Sequence, residues 1–181
     1  KQVGPVADID AIEYGGKPRP YLGMSGIAEE CWRKLWYSFH WAIIKKHNAR
    51  LERIFEIGHL FEKMAIEDLK KIGCEVFKVV DGIEIELTGE KGEKQEEFIG
   101  FEGHAKGHND GRIRGISFMP KEVLLFEIKT FNDKRFNSFK TDGIKRSDPK
   151  YYGQCQRYMK EAKLQFAFIF GVNKNDCSYW Y

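Results

Sequence analysis

Apolar residues recur with a helical period along two segments in the first half of the chain. The first segment, residues 27–46, is rich in aromatic side chains and predicts a buried helix. The second, residues 49–72, predicts a helix that ends at Gly73. Its predicted buried stripe consists of Leu51, Ile54, Ile57, Phe61, Met64, Ala65, Leu69 and Ile72. Glu62 lies about 100° round the helix axis from Phe61, which places it at the rim of that stripe.

After the second helix the pattern changes to that of strands. The predicted strands are residues 74–80, 83–89, 97–107, 111–118, 123–129 and 165–172, with a last one from residue 177. Asp81-Gly82 joins the first two as a hairpin turn. Residues 123–129 are apolar on both faces until their end, which is typical of a central, covered strand. Residues 134–143 predict a short helix or a loop. Asp148 and Pro149 suit the N-cap and first position of a further helix.

This order of helix, helix, strands, helix and strand predicts an α/β fold of the α+β-like kind, with a central mixed sheet flanked by helices. The 181 residues suit one domain. Residues 1–24 contain prolines and glycines and predict a loosely ordered lead-in, and residues 25–181 a single domain. No apolar run approaches the length of a membrane span, and residues 1–10 contain no apolar core of the kind found in signal peptides. We therefore expect a cytoplasmic protein that does not enter a membrane.

Two residue classes narrow the chemistry. The four cysteines are widely spaced and form no CxxC pair, which argues against structural zinc and a disulfide framework. The net charge of +3 is small, but residues 131–163 carry nine Lys/Arg against four Asp/Glu. Three tyrosines lie among these cations. Such a segment is typical of a surface that binds a phosphate backbone, although a solvated helix face is an equal alternative.

Glu127 lies near the end of one predicted strand, and Asp110 lies just before the start of another. Glu127 and Lys129 are two apart, so both project from one face of residues 123–129. A simple ion pair is the alternative. Asp110 lies in a glycine-rich turn, for which a plain Asx turn is the alternative. Two carboxylates are ligands that Mg²⁺ prefers, and a lysine beside them can orient or deprotonate water or stabilise charge on a phosphate.

These residues resemble the PD-(D/E)XK nuclease superfamily, in particular its lambda-type and RecB-like exonuclease branch, which includes CRISPR-adaptation nucleases. Asp110 matches the first acid and Glu127-Ile128-Lys129 the (D/E)XK motif, with Asn109 in place of the proline. Four further segments are similar to motifs of that branch. They are residues 31–37 (CxRxLxY), 57–62 (a helix supplying a glutamate), 151–158 (YYxQxQ and QxxxY) and 170–175 (the following strand).

The resemblance implies a restriction-endonuclease-like core and a site that binds one or two Mg²⁺ or Mn²⁺ ions. Its implied metal ligands are Asp110, Glu127, the carbonyl of Ile128 and Glu62, with Lys129 as the catalytic lysine. Gln154 and Tyr158 would position DNA or the lysine, and Lys145 and Arg146 belong to the basic segment that would follow the backbone. His104 and His108 are candidates for additional ligands. Cys177 is the sole cysteine after the QxxxY helix, which argues against the iron–sulfur cluster of some relatives.

The implied activity is a metal-dependent deoxyribonuclease. We expect an exonuclease that processes linear DNA ends, with low sequence specificity, in recombination, repair or phage DNA metabolism. The alternatives are a catalytically inactive DNA-binding module and a structure-specific endonuclease of the same fold. The phage resemblance also implies that a single-strand annealing or binding protein is a partner and that the chain can form a homo-oligomer. It further implies that the protein acts in a bacterial or phage-infected host cell.

Overall fold

A six-stranded mixed sheet organises the chain, whose computed structural model describes residues 12–15, 19–42 and 46–181. The helices are α1 (Trp32–Phe39), α2 (Ala49–Lys71), α3 (Asp133–Asp142), α4 (Ile144–Ser147) and α5 (Pro149–Ala162). The first strands are β1 (Glu13–Gly15), β2 (Leu22–Gly23), β3 (Lys46–Asn48), β4 (Glu75–Val80), β5 (Ile83–Glu86) and β6 (Glu97–Gly100). The later strands are β7 (Ala105–His108), β8 (Gly111–Arg114), β9 (Leu124–Phe131), β10 (Ala167–Asn173) and β11 (Tyr179–Trp180).

The main sheet has the strand order β11-β10-β9-β8-β4-β5. Strands β9 and β10 run parallel, and the other neighbouring pairs are antiparallel. A three-stranded sheet has the order β2-β7-β6, and β1 pairs with β3. The predictions of a mixed sheet and of an interior position for residues 123–129 are therefore confirmed.

Helices cover both faces of β9. On one face, Ala65, Ile66 and Leu69 of α2 join a buried cluster with Phe126 and Ile128. On the other face, Cys155 and Tyr158 of α5 cluster with Leu125. Because side chains alternate along a strand, Glu127 and Lys129 lie on the same side as Leu125, towards α5. The two acids that the sequence places on β9 and α2 therefore approach the site from different layers.

Local sequence signals set several boundaries correctly. Helix α2 begins after Asn48, whose side chain accepts from the Leu51 N–H at 3.1 Å, and ends before Gly73, which has a φ of +93°. Asp81 and Gly82 both have positive φ, as a type I′ hairpin turn requires. Helix α5 has Asp148 as its N-cap. Residues 134–143, left open between helix and loop, fall in α3 and its C-cap.

Only two of the eight members of the predicted buried stripe of α2 are buried, and both lie in the C-terminal half of the helix. Ala65 and Leu69 are buried, whereas four predicted members are exposed. These four are Leu51, Ile57, Met64 and Ile72. For Leu51 and Ile57 the reason is that the buried core contacts α2 through Phe61 and later residues, so the periodicity begins before the surface that could cover it.

The predicted helix over residues 27–46 is wrong in length and in burial. Among the described residues of this segment, 27–42 and 46, only those of α1 are α-helical, and none of them is buried. The helix ends at Phe39, with His40 as its C-cap, because Trp41 takes a left-handed conformation with a φ of +52°. The Trp41 indole N–H donates to the Arg19 carbonyl at 2.5 Å, a contact with a distant segment that helical periodicity does not reveal. Residues 43–45 lie outside the described residues.

The single strand predicted over residues 97–107 is also wrong. Phe101 and Glu102 have left-handed backbone angles, and they form a 3₁₀ turn, Phe101–Gly103, between β6 and β7. The strands on either side fold back as an antiparallel pair. This reversal moves β7 into the smaller sheet and turns the chain towards Asp110.

Parts of the predicted lead-in are held by the rest of the chain. Strand β1 pairs with β3, β2 pairs with β7, and Met24 is fully buried against the α5 face. Residues 1–11 and 16–18 lie outside the described residues, and the division into a lead-in and a single domain stays a prediction. Across the described ranges, no helix combines the length and hydrophobicity that crossing a membrane requires.

The contact of β7 with the α5 layer predicts a steric effect at Gly107. A Cβ added there would lie 2.6 Å from both the Met24 Cβ and the Tyr158 hydroxyl oxygen, and both of these residues are buried. We expect Gly107→Ala to lower the free energy of unfolding by about 1–3 kcal/mol, the usual effect of overpacking. Urea unfolding measures it. Gly26→Ala, where a Cβ meets nothing within 4 Å, is the matched control. Equal stabilities of the two variants would contradict the close approach.

Candidate active site

Glu127 is the most deeply buried acid of the site, with 1% of its surface exposed. Its Oε1 atom accepts hydrogen bonds from Gln154 Nε2 at 2.9 Å and from Lys129 Nζ at 2.5 Å. Its Oε2 atom is buried without a hydrogen-bond partner. A buried carboxylate oxygen without a partner is costly, because it has lost water and gained no replacement.

Asp110 lies beside Glu127 because of the strand register. Gly111 pairs with Phe126 in the antiparallel β8/β9 ladder, so Asp110 is opposite Glu127. Asp110 Oδ2 accepts from the Ile128 backbone N–H at 2.8 Å. The neighbouring Asn109 forms the local turn contact, since its Nδ2 donates to the Gly111 carbonyl at 2.8 Å. Asp110 therefore reaches across to β9, and the plain Asx-turn alternative does not describe it.

The Lys129 ammonium group contacts both acids. Its Nζ is 2.5 Å from Glu127 Oε1 and 3.9 Å from Asp110 Oδ2. It also lies 4.9 Å from the centroid of the Tyr151 ring, within the range of a cation–π interaction. The ion pair that the sequence left open is present, and it includes the second acid. In this arrangement Lys129 supplies positive charge to a pair of carboxylates.

Glu62 approaches the site from α2. Its carboxylate is half-buried and lies 3.2 Å from His59 Nδ1. Burial and then the negative charge of Asp110 raise the pKa of Glu62. The charge of Glu62 in turn contributes to raising the pKa of Glu127. Asp110 is thus close enough to both glutamates, and Glu62 close enough to Glu127, for their charges to raise the pKa values of the two glutamates.

The protonation of the Glu127–Lys129 pair follows from burial and from Asp110. Burial, and next the charge of Asp110, raise the pKa of Glu127 to about 7, against the opposing effect of Lys129. Burial alone would lower the pKa of Lys129, but the charges of Glu127 and Asp110 outweigh it and raise that pKa. Lys129 is therefore a cation at neutral pH. Of its predicted roles, orienting water and stabilising negative charge fit this state, whereas accepting a proton does not.

The donor chemistry of the site fits a hard divalent cation. Asp110 and Glu127 offer carboxylate oxygens from neighbouring strands, and Glu127 Oε2 is an acceptor that no protein donor satisfies. As the side chains lie, the described residues contain no group of three or more His, Cys, Asp or Glu placed to hold a metal ion. Lys129 lies between the two acids, so a cation that uses both carboxylates requires the ammonium group to move. The ligand role of the Ile128 carbonyl stays a prediction.

Gln154 and Tyr158, the pair predicted on α5, both lie at the site. Gln154 has a specific partner there, Glu127. Gln154 is buried and donates to Glu127, so it orients the acid and not the lysine. Tyr158 is 2% exposed, and its ring packs 5.5 Å from that of Phe98. Its hydroxyl lies against Gly107. Because it is buried in this way, Tyr158 contributes to the structure of the site. In this conformation it has no surface with which to contact DNA.

The remaining predicted residues lie further out. His104 precedes β7 and its ring is 5.9 Å from that of Phe39. His108 Nε2 is 3.6 Å from Glu97 Oε2 on β6. Lys145 and Arg146 lie on α4 and are exposed, with the Lys145 ammonium 5.6 Å from the Tyr152 ring centroid. The structure groups Asp110, Glu127, Lys129, Gln154 and, more distantly, Glu62.

Sequence reasoning assigned no role to Tyr151, although it lies in the YYxQxQ segment. Its ring contacts the Lys129 ammonium and also lies 5.6 Å from the Arg135 guanidinium. Tyr151 starts α5 three residues before Gln154, so it lies on nearly the same helix face. That spacing is a signal from which a position beside β9 could have been predicted.

Two of the four cysteines are buried and two are exposed. Cys155 lies behind the site on α5, where burial raises the pKa of its thiol to about 12. It is therefore a neutral thiol at physiological pH. Cys74 is buried at the start of β4, and Cys31 and Cys177 are exposed.

Comparisons with protein-family models, with curated proteins and with solved structures found no match to this chain. The resemblance of its motifs to PD-(D/E)XK nucleases therefore stays a prediction. The functional proposal below depends on the geometry of the site together with that resemblance.

Proposed function

We propose that this protein is a metal-dependent DNA nuclease whose site consists of Asp110, Glu127, Lys129 and Glu62. The observation that carries the proposal is the state of Glu127. This carboxylate is almost fully buried and has one oxygen without a partner, and two further acids oppose its ionisation. A structural core has no need of such an arrangement. A site that gains a divalent cation and a phosphate does.

The protein's own groups suit phosphodiester hydrolysis. Asp110 and Glu127 would hold the cation, and Gln154 keeps Glu127 oriented through the bond to Oε1. Lys129 remains protonated and would stabilise negative charge on the scissile phosphate or orient the attacking water. When bound, the cation supplies Lewis acidity and lowers the pKa of a bound water.

Two features outside the site support a nucleic-acid substrate and the finer fold assignment. The segment from residue 131 to 163 forms α3, α4 and α5, and it carries the excess of cations on the elements next to the site. The order α2, antiparallel strands, α5 and then β10 parallel to β9 agrees with the proposed restriction-endonuclease-like core.

A time course on end-labelled linear DNA and closed circular DNA tests the proposal. With Mg²⁺ or Mn²⁺ we expect loss of the linear form, with no loss in EDTA. Asp110→Asn is expected to lower the rate of DNA cleavage at least about 100-fold, because it removes a negative charge that the bound cation needs. Asp142→Asn, on the exposed end of α3, is the control. Full activity of Asp110→Asn would show the proposal to be wrong. Cleavage of the circular form would show that the protein acts as an endonuclease and not as an exonuclease.

A second candidate is a DNA-binding module of the same fold that does not cleave. The observation that favours it is the contact of Lys129 with both acids, which already compensates part of their charge. The same assay distinguishes the candidates. DNA binding without metal-dependent loss of either DNA form would support the module.

A further inference from the structure

Helix α1 presents a row of aromatic rings to solvent. Trp32 is 85% exposed, Trp36 is 55% exposed and Tyr37 is 42% exposed. Trp32, Trp36 and His40 follow each other at one-turn spacing, so they lie along one side of the helix. The Trp36 ring is 4.2 Å from that of His40 and 5.3 Å from that of Tyr37. Two tryptophans at such exposure on an eight-residue helix are far from the usual burial of this residue type.

The stretch of sequence that contains this row carries an excess of positive charge. Residues 31–50 contain five Lys/Arg, no Asp or Glu, and three of the four tryptophans of the chain. Arg33 is exposed and lies between the two tryptophans in sequence. Lys34 contacts Glu29, which also contacts Lys150, so one acid there faces two cations. The exposed aromatic faces therefore lie in a stretch of sequence with an excess of positive charge, and Arg33 is an exposed cation of α1 itself.

The row is connected to the candidate active site through contacts of α1. Phe39, at the end of α1, packs against His104, which immediately precedes β7. Strand β7 leads directly to Asp110. On the other side, Glu29 lies close to Lys150, in the first turn of the helix that carries Gln154. The segment around α1 thus contacts the residue before β7 and the first turn of α5.

We infer that the exposed face of α1 binds single-stranded DNA by stacking its bases on Trp32, Trp36 and Tyr37, while Arg33 contacts the phosphates. Stacking on aromatic side chains and a positive surface are the two components of sequence-tolerant single-strand binding. Paired bases in a duplex have no free faces to offer. The inference rests on the proposed function, because it gives the nuclease site a single-stranded or frayed end as its substrate.

Fluorescence anisotropy of a labelled oligo-dT, in EDTA to prevent cleavage, tests the inference. We expect Trp32→Ala/Trp36→Ala to weaken binding by about 5- to 150-fold for each ring lost, which corresponds to ~1–3 kcal/mol per stacked base. Trp32→Phe/Trp36→Phe is expected to retain most of the affinity, because it keeps an aromatic face. Trp180→Ala, on β11, is the matched control for loss of a tryptophan.

An abasic oligonucleotide of the same length separates stacking from charge. It keeps the phosphates, so the wild type should bind it about as weakly as the double alanine variant binds oligo-dT. Equal affinity of wild type and double alanine variant for oligo-dT would overturn the inference. A dimeric wild type that becomes monomeric in the double variant, with unchanged oligo-dT binding, would overturn it in favour of an interface between copies. Because binding is measured without metal, a failure here is distinct from a failure to cleave DNA.

Discussion

Lys129→Met is expected to abolish DNA cleavage while it tightens the binding of Mn²⁺. Lys129 contacts both acids, so it competes with a divalent cation for the same carboxylates. Two unit charges about 4 Å apart interact by about 4 kcal/mol at the effective dielectric constant near a protein surface, so part of that energy opposes metal binding. We expect the Mn²⁺ affinity to rise about tenfold or more on this ground. Cleavage should fall by about 100- to 1,000-fold, the usual effect of losing a group that stabilises developing charge.

Isothermal titration calorimetry with Mn²⁺ and the cleavage assay measure the two effects on the same preparation. Lys121→Met, an exposed lysine before β9, is the control and should change neither. Opposite signs for affinity and activity are what distinguishes this role from a structural one. A variant that binds Mn²⁺ more weakly than the wild type would contradict competition between Lys129 and the cation.

Glu127→Gln is expected to make the metal-free protein more stable than the wild type at pH 8. Burial and Asp110 raise the pKa of Glu127 from 4.5 to about 7. A group with a raised folded-state pKa contributes stability that is present below its unfolded pKa and lost as the pH rises through the folded pKa. The wild type should therefore lose stability between about pH 4.5 and pH 7, by up to about 3 kcal/mol at 1.36 kcal/mol per pKa unit. The glutamine variant has a neutral side chain at every pH, so it should not lose this contribution to stability.

Urea unfolding at pH 5 and pH 8 in EDTA measures the difference, with Glu122→Gln as the control for an exposed glutamate. Added Mg²⁺ or Mn²⁺ should stabilise the wild type more at pH 8 than at pH 5, because the ion binds the ionised carboxylate. It should have little effect on Glu127→Gln. Equal pH dependence in wild type and variant would mean that Glu127 ionises in the folded protein as readily as in the unfolded chain.

The parts of the fold that the sequence predicted correctly are those with a local cause. Asn48 and Gly73 delimit α2, Asp81-Gly82 turns the hairpin, and Asp148 begins α5. In each case a side chain or a backbone preference acts within a few residues. Hydrophobicity on both faces likewise placed β9 inside the sheet, because only a covered strand can bury both sets of side chains.

The errors arose where a distant contact overrides the local pattern. The periodicity of residues 27–46 continues through Trp41, but the bond from its indole to the Arg19 carbonyl accompanies a left-handed turn. The strand predicted over residues 97–107 reverses at Phe101 and Glu102, neither of which is a usual turn residue. Helical period also overestimated the buried length of α2, since period shows which side of a helix is apolar and not how far its cover extends.

By itself the sequence determined that Glu127 and Lys129 share one face of a strand, because side chains alternate along it. The resemblance of its motifs then pointed to Asp110, Glu62 and the helix that carries Gln154. Only the tertiary structure decided how they are used. The β8/β9 register brings Asp110 opposite Glu127, and burial between sheet and α5 leaves Glu127 Oε2 without a partner. The charges of Glu127 and Asp110 keep Lys129 protonated, and burial followed by the charge of Asp110 raises the pKa of Glu127. These properties depend on distances across layers and on the exclusion of water, neither of which is written in the order of residues along the chain.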